Sequence, residues 1–173
     1  MNETLNNLKT RRSIRAYKPE QVEKDLLEQV LEAGIYAPTG GGRQTPFIVA
    51  VQDPDTVKQL SRMNAAVNGA KSDPFYGAPT VLVVLADRAR GTFLQDGSAV
   101  ITTLLNAAHA LGLGSCWINR AKEEFQSEEG KALLQKWGIE GDIEGIGHVT
   151  LGYPAGDAPE PAPRKANYIV RNY

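Results

Sequence analysis

One cysteine, two histidines and no surplus of either charge leave this chain of 173 residues with few of the usual means of doing chemistry unaided. A lone Cys116 forbids an intramolecular disulfide, and nothing in the sequence calls for an oxidising compartment. His109 and His148, with that single cysteine and no clustered carboxylates, do not supply the ligands of a metal centre and read as structural residues. Lys and Arg total 19 against 20 Asp and Glu, so no general field draws the chain to nucleic acid or to an anionic membrane, and any anion site must be local. No apolar run approaches bilayer-spanning length, and Met1 to Thr10 lacks the apolar centre of a leader, so a cytoplasmic location is expected. There is no internal repeat and no low-complexity segment.

What is present is the composition of an ordinary soluble protein, 42% hydrophobic and 23% charged, in a length that suits one α/β or α+β domain spanning 1–173. Val22, Leu26, Leu27, Val30 and Leu31 share one stripe of a helix over 20–33, which Gly34 ends. The runs 47–51 and 80–86 are apolar and follow or precede prolines, as buried strands do. Segment 97–110 is apolar almost all round, which predicts a helix buried on most sides. A short strand is expected over 115–118, an amphipathic helix over 123–137 and a last strand over 146–151, the whole making a sheet with helices on both faces. From Pro154 onward, Pro159, Pro161 and Pro163 hold an extended tail whose apolar ending, Tyr168, Ile169, Val170 and Tyr173, calls for a surface to dock on.

Three segments could carry chemistry. In Arg11-Arg12-Ser13-Ile14-Arg15, an extended backbone would turn Arg11, Ser13 and Arg15 to one face, a set suited to bidentate contact with phosphate; the plainer alternative is a solvated basic patch. In Pro38-Thr39-Gly40-Gly41-Gly42-Arg43, consecutive glycines would let a backbone approach a flat ligand, or merely make a flexible connection; the loop lacks the Gly-Lys-Ser/Thr ending of a P-loop. In Gly112-Leu113-Gly114-Ser115-Cys116-Trp117-Ile118, backbone groups at a helix-to-strand junction are free for a ligand and Trp117 would wall it, the alternative being a tight turn with a core tryptophan. Cys116 as a nucleophile competes with Cys116 as a small buried hydrophobe. Gly145-Ile146-Gly147 lacks the third glycine of a dinucleotide fingerprint and is given no cofactor role.

Taken in order, RRSIRAYKPEQV at 11–22, APTGGGRQTP at 37–46, DPFYGAP at 73–79, GLGSCWI at 112–118 and LGYP at 151–154 resemble the FMN-dependent nitroreductase family over essentially the whole chain. The resemblance implies an α+β nitroreductase-like fold with a central, mostly antiparallel sheet flanked by helices, an intertwined homodimer, and FMN at the subunit interface. It puts Arg11, Arg12 and Ser13 near the phosphate and ribityl chain, Arg15 at the pyrimidine edge, and Arg164 and Lys165 in the phosphate clamp. Pro38, Thr39 and Gly40 would reach the flavin of the other subunit. Asn64, with Asn68 as its alternative, would present an amide to the ring, and the backbone of Ser115, Cys116 and Trp117 would line it. The implied activity is NAD(P)H-dependent reduction of nitroaromatics, quinones or similar flat acceptors by a ping-pong route, with chemistry at flavin N5 and no protein acid or base. A specialised flavin enzyme of the same fold, or a non-catalytic flavin-binding dimer, are the competing readings.

Overall fold

The structure is a computed structural model and describes residues 2–173. Four strands, β1 (Pro46–Val51), β2 (Thr80–Asp87), β3 (Gly114–Ile118) and β4 (Ile143–Gly152), form one sheet in the order β1-β2-β4-β3, every pair antiparallel. The two central strands are the ones whose sequences have almost no exposed position. All but the last residue of TVLVVLAD, and all but the first of IEGIGHVTLG, are buried, because helices cover both faces. Between Val84 and Leu85 the register against β4 shifts by one residue, so Ile146 bulges out of the ladder and presses on α4 at Gly97.

Six helices surround the sheet: α1 (Glu3–Thr10), α2 (Lys24–Ile35), α3 (Pro54–Asn68), α4 (Phe93–Ala110), α5 (Ala121–Gln126) and α6 (Glu128–Lys136). On one face Leu27 and Val30 of α2 and Val100, Ile101, Leu104 and Leu105 of α4 pack on Leu82, Val84 and Val149. On the other, Leu60 and Met63 of α3, Phe125 of α5 and Leu133 of α6 pack with Phe75 on Val81, Val83 and Leu85. Each such fully buried side chain contributes roughly 1.5–3 kcal/mol, and alternate residues of β2 serve the two cores in turn.

Two expectations need revision. The helix expected over 123–137 is two helices, since Ser127 turns extended between them; its hydroxyl donates to the Glu124 carbonyl (2.6 Å) and accepts from Gly130 N–H (3.0 Å), capping α6. Helix α4 is longer than the expected segment and not enclosed: Leu94 and Thr102 are exposed, and Ser98, Ala99, Thr103 and Asn106 only half-buried. One face of a helix made largely of apolar and small residues is therefore uncovered in the single chain. The tail after Pro154 is exposed throughout, Tyr168, Ile169, Val170 and Tyr173 included. No helix among the described residues is long and apolar enough to cross a membrane.

The junction of α5 and α6 is tight because Gly130 has no side chain. A Cβ there would overlap the Glu124 carbonyl and lie 2.6 Å from Cα of Phe125, both backbone atoms that have no room to yield. Gly130→Ala is expected to lower unfolding free energy by about 3 kcal/mol, the upper range for overpacking, when compared with wild type by urea denaturation. A loss under about 1 kcal/mol would show that this junction is not close-packed.

Candidate functional site

The segment between α1 and α2 runs as an extended strap along the free edge of β3. Ser13 bridges Ser115 in parallel, and Ile14 N–H donates to the Ser115 carbonyl at 3.0 Å. Tyr17 fixes the strap from behind. Its hydroxyl donates to the Ile14 carbonyl (2.7 Å) and lies 2.8 Å from the Thr150 hydroxyl, and burial pushes its pKa far above the ordinary tyrosine range, so it stays a protonated donor. Further along, Lys18 N–H donates to the Tyr153 carbonyl and Ala155 N–H to that of Ala16. The first and third sequence segments thus meet, although a hundred residues separate them.

Helix α1 delivers the arginines to this edge. Arg11 is its C-terminal cap, so extended backbone begins there; Arg11, Arg12 and Ser13 are all half-buried, and Arg15 is exposed with its guanidinium 6.0 Å from the Tyr76 ring. Arg12 Nη1 donates to the carbonyls of Lys9 (2.8 Å) and Arg11 (2.7 Å), which aims the head group. Arg11 Nη1 and Arg12 Nε are buried without a partner, two guanidinium donors awaiting an acceptor, and burial of such a group is costly until one arrives. His109 stands beside them at the end of α4, its Nε2 at 2.9 Å from the Thr10 hydroxyl.

The glycine loop is anchored, not slack. Asp96, buried in the first turn of α4, accepts from the Gly40 N–H (2.9 Å) and from the Thr92 hydroxyl (3.1 Å), with the Thr45 hydroxyl at 3.5 Å. Gly41 and Gly42 turn at φ 61° and 65°, conformations that side chains resist, and Gln44 N–H closes the turn on the Thr39 hydroxyl at 3.1 Å. Pro38 is exposed, and Thr39 and Gly40 half-buried. The DPFYGAP segment is organised by Asp73, whose carboxylate accepts from Ser61 and from the N–H groups of Phe75 and Gly77, holding Tyr76 out toward Arg15.

Along β3 the side chains alternate. Cys116 points into the core beneath α3, while Trp117 is 36% exposed, its indole over the backbone of Gly147. Only the backbone of Cys116 is available to a ligand on the Trp117 side, and the buried thiol is no nucleophile there. Just past β3, the Asn119 carbonyl accepts from Asn64 Nδ2 at 2.6 Å; the same nitrogen donates to Glu124 Oε1 (2.5 Å), which lies 2.9 Å from His148 Nε2. Asn64, Glu124 and His148 are all at least 96% buried, and Phe75 and Phe125 pack on the imidazole ring.

The sequence profile of the Nitroreductase family matches residues 8–70 and 64–153. The chain belongs to the nitroreductase family. A provisionally named NADH dehydrogenase/NAD(P)H nitroreductase of Archaeoglobus fulgidus is 34% identical over 159 residues, 89% of this chain and 87% of the relative. An FMN reductase [NAD(P)H] of Bacillus subtilis is 27% identical over 90% of this chain and 67% of its own length. Among solved structures, a nitroreductase of Bacteroides fragilis with bound FMN superposes with a TM-score of 0.91 at 30% identity, covering 100% of both chains. One from Desulfitobacterium hafniense, also with bound FMN, gives 0.88 at 26% identity over 99% of this chain and 100% of the other. The α+β fold with its antiparallel sheet is that of these nitroreductases.

Within this family member, the strap arginines, Ser13 and the Ser115–Trp117 backbone come together on one edge of the sheet. Arg164 and Lys165 do not join them in the single chain: both lie on the exposed tail, Lys165 over Tyr168 at 5.4 Å. Asn64, expected to present an amide to the ring, donates its nitrogen to Asn119 and Glu124; Asn68, its alternative four residues on, is exposed beside the turn that ends α3. The Asn64–Glu124–His148 cluster was not anticipated. Its signal is a carboxylate on the apolar stripe of Ala121 and Phe125, three residues after one and next to the other, and a histidine amid the buried run of β4.

Partial burial, then the charges of Arg11 and Arg12, hold the His109 pKa below its ordinary 6.5. Because the folded-state value is the lower one, the stability tied to this group is complete above pH 6.5 and declines as pH falls below it through the folded-state value. An NMR titration is expected to place the His109 midpoint below 6.5, and saturating inorganic phosphate to raise it by neutralising the two guanidinium groups. A midpoint indifferent to phosphate would show that no anion settles between Arg11 and Arg12.

Proposed function

We propose that the chain is an FMN-dependent oxidoreductase that moves electrons from NADH or NADPH to nitroaromatics, quinones or similar flat, electron-poor acceptors. The observation that carries this reading is the pair of buried, unpartnered guanidinium nitrogens on Arg11 and Arg12 beside the Ser115–Trp117 strand edge, in a fold whose FMN-bound relatives match it over its full length. When bound, FMN supplies the step that accepts two electrons from the nicotinamide and passes them on.

The chain's own residues have the tasks of holding and orienting. Arg11 and Arg12, with Ser13, would take the phosphate through charge-assisted bonds, the Arg12 head group being already held by the carbonyls of Lys9 and Arg11. The backbone of Ser115, Cys116 and Trp117 would lie along the ring, with Trp117 excluding water on one side. Arg15, held out against Tyr76, would stand at the pyrimidine edge and favour extra negative charge there. No protein acid or base has to be aligned with the reacting atoms, and one open cleft serving donor and acceptor in turn makes the cycle ping-pong.

The site is completed by a second copy of the chain. The uncovered face of α4 and the exposed ending of the tail are the surfaces a homodimer would bury, and closing it would bring Pro38, Thr39 and Gly40, and Arg164 and Lys165, to the partner's flavin.

Arg11→Ala is expected to weaken FMN binding by roughly 30-fold, the equivalent of ~2 kcal/mol for one charge-assisted bond, while riboflavin, which has no phosphate, keeps its affinity. Fluorescence titration of both flavins reads this directly. Equal losses for the two would remove Arg11 from the phosphate site.

A further inference from the structure

A cleft of about 760 Å³ opens on the α3 face of the sheet, across the strands from α4. The strap, the first half of α3 and the turn before β2 wall it, and its apolar lining is Pro19, Pro54, Val57, Phe75, Ala78 and Pro79. None of its lining residues is among those that the flavin or a second copy of the chain would use. Its size is that of small-molecule pockets, roughly 300–1,000 Å³, which are likewise mostly apolar with a few polar groups.

The walls are fixed before any ligand arrives. Gln21 Nε2 donates to the carbonyls of Gln52 (3.1 Å) and Pro79 (3.2 Å), and its Oε1 accepts from the Thr80 hydroxyl (2.6 Å) and from Val22 N–H (3.2 Å). Asp73 accepts from the Ser61 hydroxyl (2.5 Å) and from the N–H groups of Phe75 (2.8 Å) and Gly77 (2.6 Å). Three prolines with locked φ complete the frame.

Five polar side chains line the cleft, and four of them have partners within the chain: Gln21, Ser61 and Asp73 as described, and Arg62 in its ion pair with Glu129. Lys58 is the fifth. It is exposed and takes part in none of the ion pairs formed among the described residues. A peptide seated here would find few partners for its own N–H and C=O groups, which are costly to bury unpaired. What the cleft offers is apolar surface with one unpaired cation at its edge.

We propose that this cleft is a second ligand site, taking a small monocarboxylate with an apolar chain. The chain lies against Phe75 and the prolines, and the carboxylate pairs with Lys58. The site does not rest on the flavin reading and adds no chemical step, since the ligand only binds.

The experiment titrates the protein, loaded with FMN, with octanoate and with its neutral isostere octanamide, and follows backbone amide signals by NMR. Octanoate is expected to shift the signals of Val57, Phe75, Gly77 and Ala78 and to bind about fivefold tighter than octanamide, the factor one partly exposed ion pair supplies. Lys58→Gln, a surface change that spares the fold, is expected to bring the two affinities together by weakening octanoate alone, and Lys58→Arg to keep them apart. The proposal is overturned if octanoate leaves those four signals unmoved, if wild type binds acid and amide alike, or if Lys58→Gln keeps the preference. It is also overturned if the same signals move with protein concentration and not with octanoate, because the cleft would then be covered by a second copy of the chain.

Discussion

The hydrogen bond from Ile14 N–H to the Ser115 carbonyl, with the Ser13–Ser115 bridge beside it, is the contact on which the site depends. It joins a strap near the start of the chain to an edge strand a hundred residues on, and without it the arginines of one and the open backbone of the other would have no common surface. One such bond contributes about 1 kcal/mol, so it does not stand alone. Tyr17, protonated and half-buried, ties the Ile14 carbonyl to the β4 side through Thr150, and the backbone pairs at Lys18–Tyr153 and Ala155–Ala16 extend the seam. The same seam sets where the tail leaves the sheet.

Around that seam the molecule spends buried polar groups on positioning. Asp96 pins the glycine loop to the start of α4, Asp73 shapes the turn that presents Tyr76, and Asn64, Glu124 and His148 hold the turn after β3. Asp96 and Asn64 reach across to groups on other elements, and Asp73 joins the N–H groups of its own turn to Ser61 of α3, arrangements that give a loop a single conformation. Three loops are fixed in this way, and two guanidinium nitrogens of the strap, Arg11 Nη1 and Arg12 Nε, are left without partners. A scaffold that holds its loops firmly and keeps cations unpaired is organised for an anionic, planar ligand whose own atoms carry the reaction.

Much of this was legible in the sequence. Strand β2 is a β-branched run with no polar interruption, so its burial on both faces could be read directly, and the stripe of Leu27 and Val30 gave α2 its face. The order of the arginine, glycine and GLGSCWI segments pointed to the family that the profile and the relatives establish. What could not be read depends on contacts between elements. The division of α5 from α6 turns on one serine hydroxyl capping a helix, and a continuous amphipathic pattern hides it. The resemblance has Asn64 presenting its amide to a flavin ring, and the sequence does not show that a buried carboxylate sixty residues away takes its nitrogen. Arg120 carries no local signal of its left-handed backbone, which is imposed by neighbours on other elements. The uncovered face of α4 looks in sequence like an enclosed core, because a helix with one apolar face open has the same composition as one covered all round.

On the reading proposed above, this edge of the sheet holds a flavin that nicotinamide reduces. Its most direct test is the visible absorption spectrum of the purified protein, taken anaerobically before and after adding NADPH. Flavin bands, present as isolated or after incubation with FMN, are expected to bleach on adding the donor. A protein that shows no flavin bands even after incubation with excess FMN would contradict it, and the arginines at the strap would then be a basic surface and nothing more.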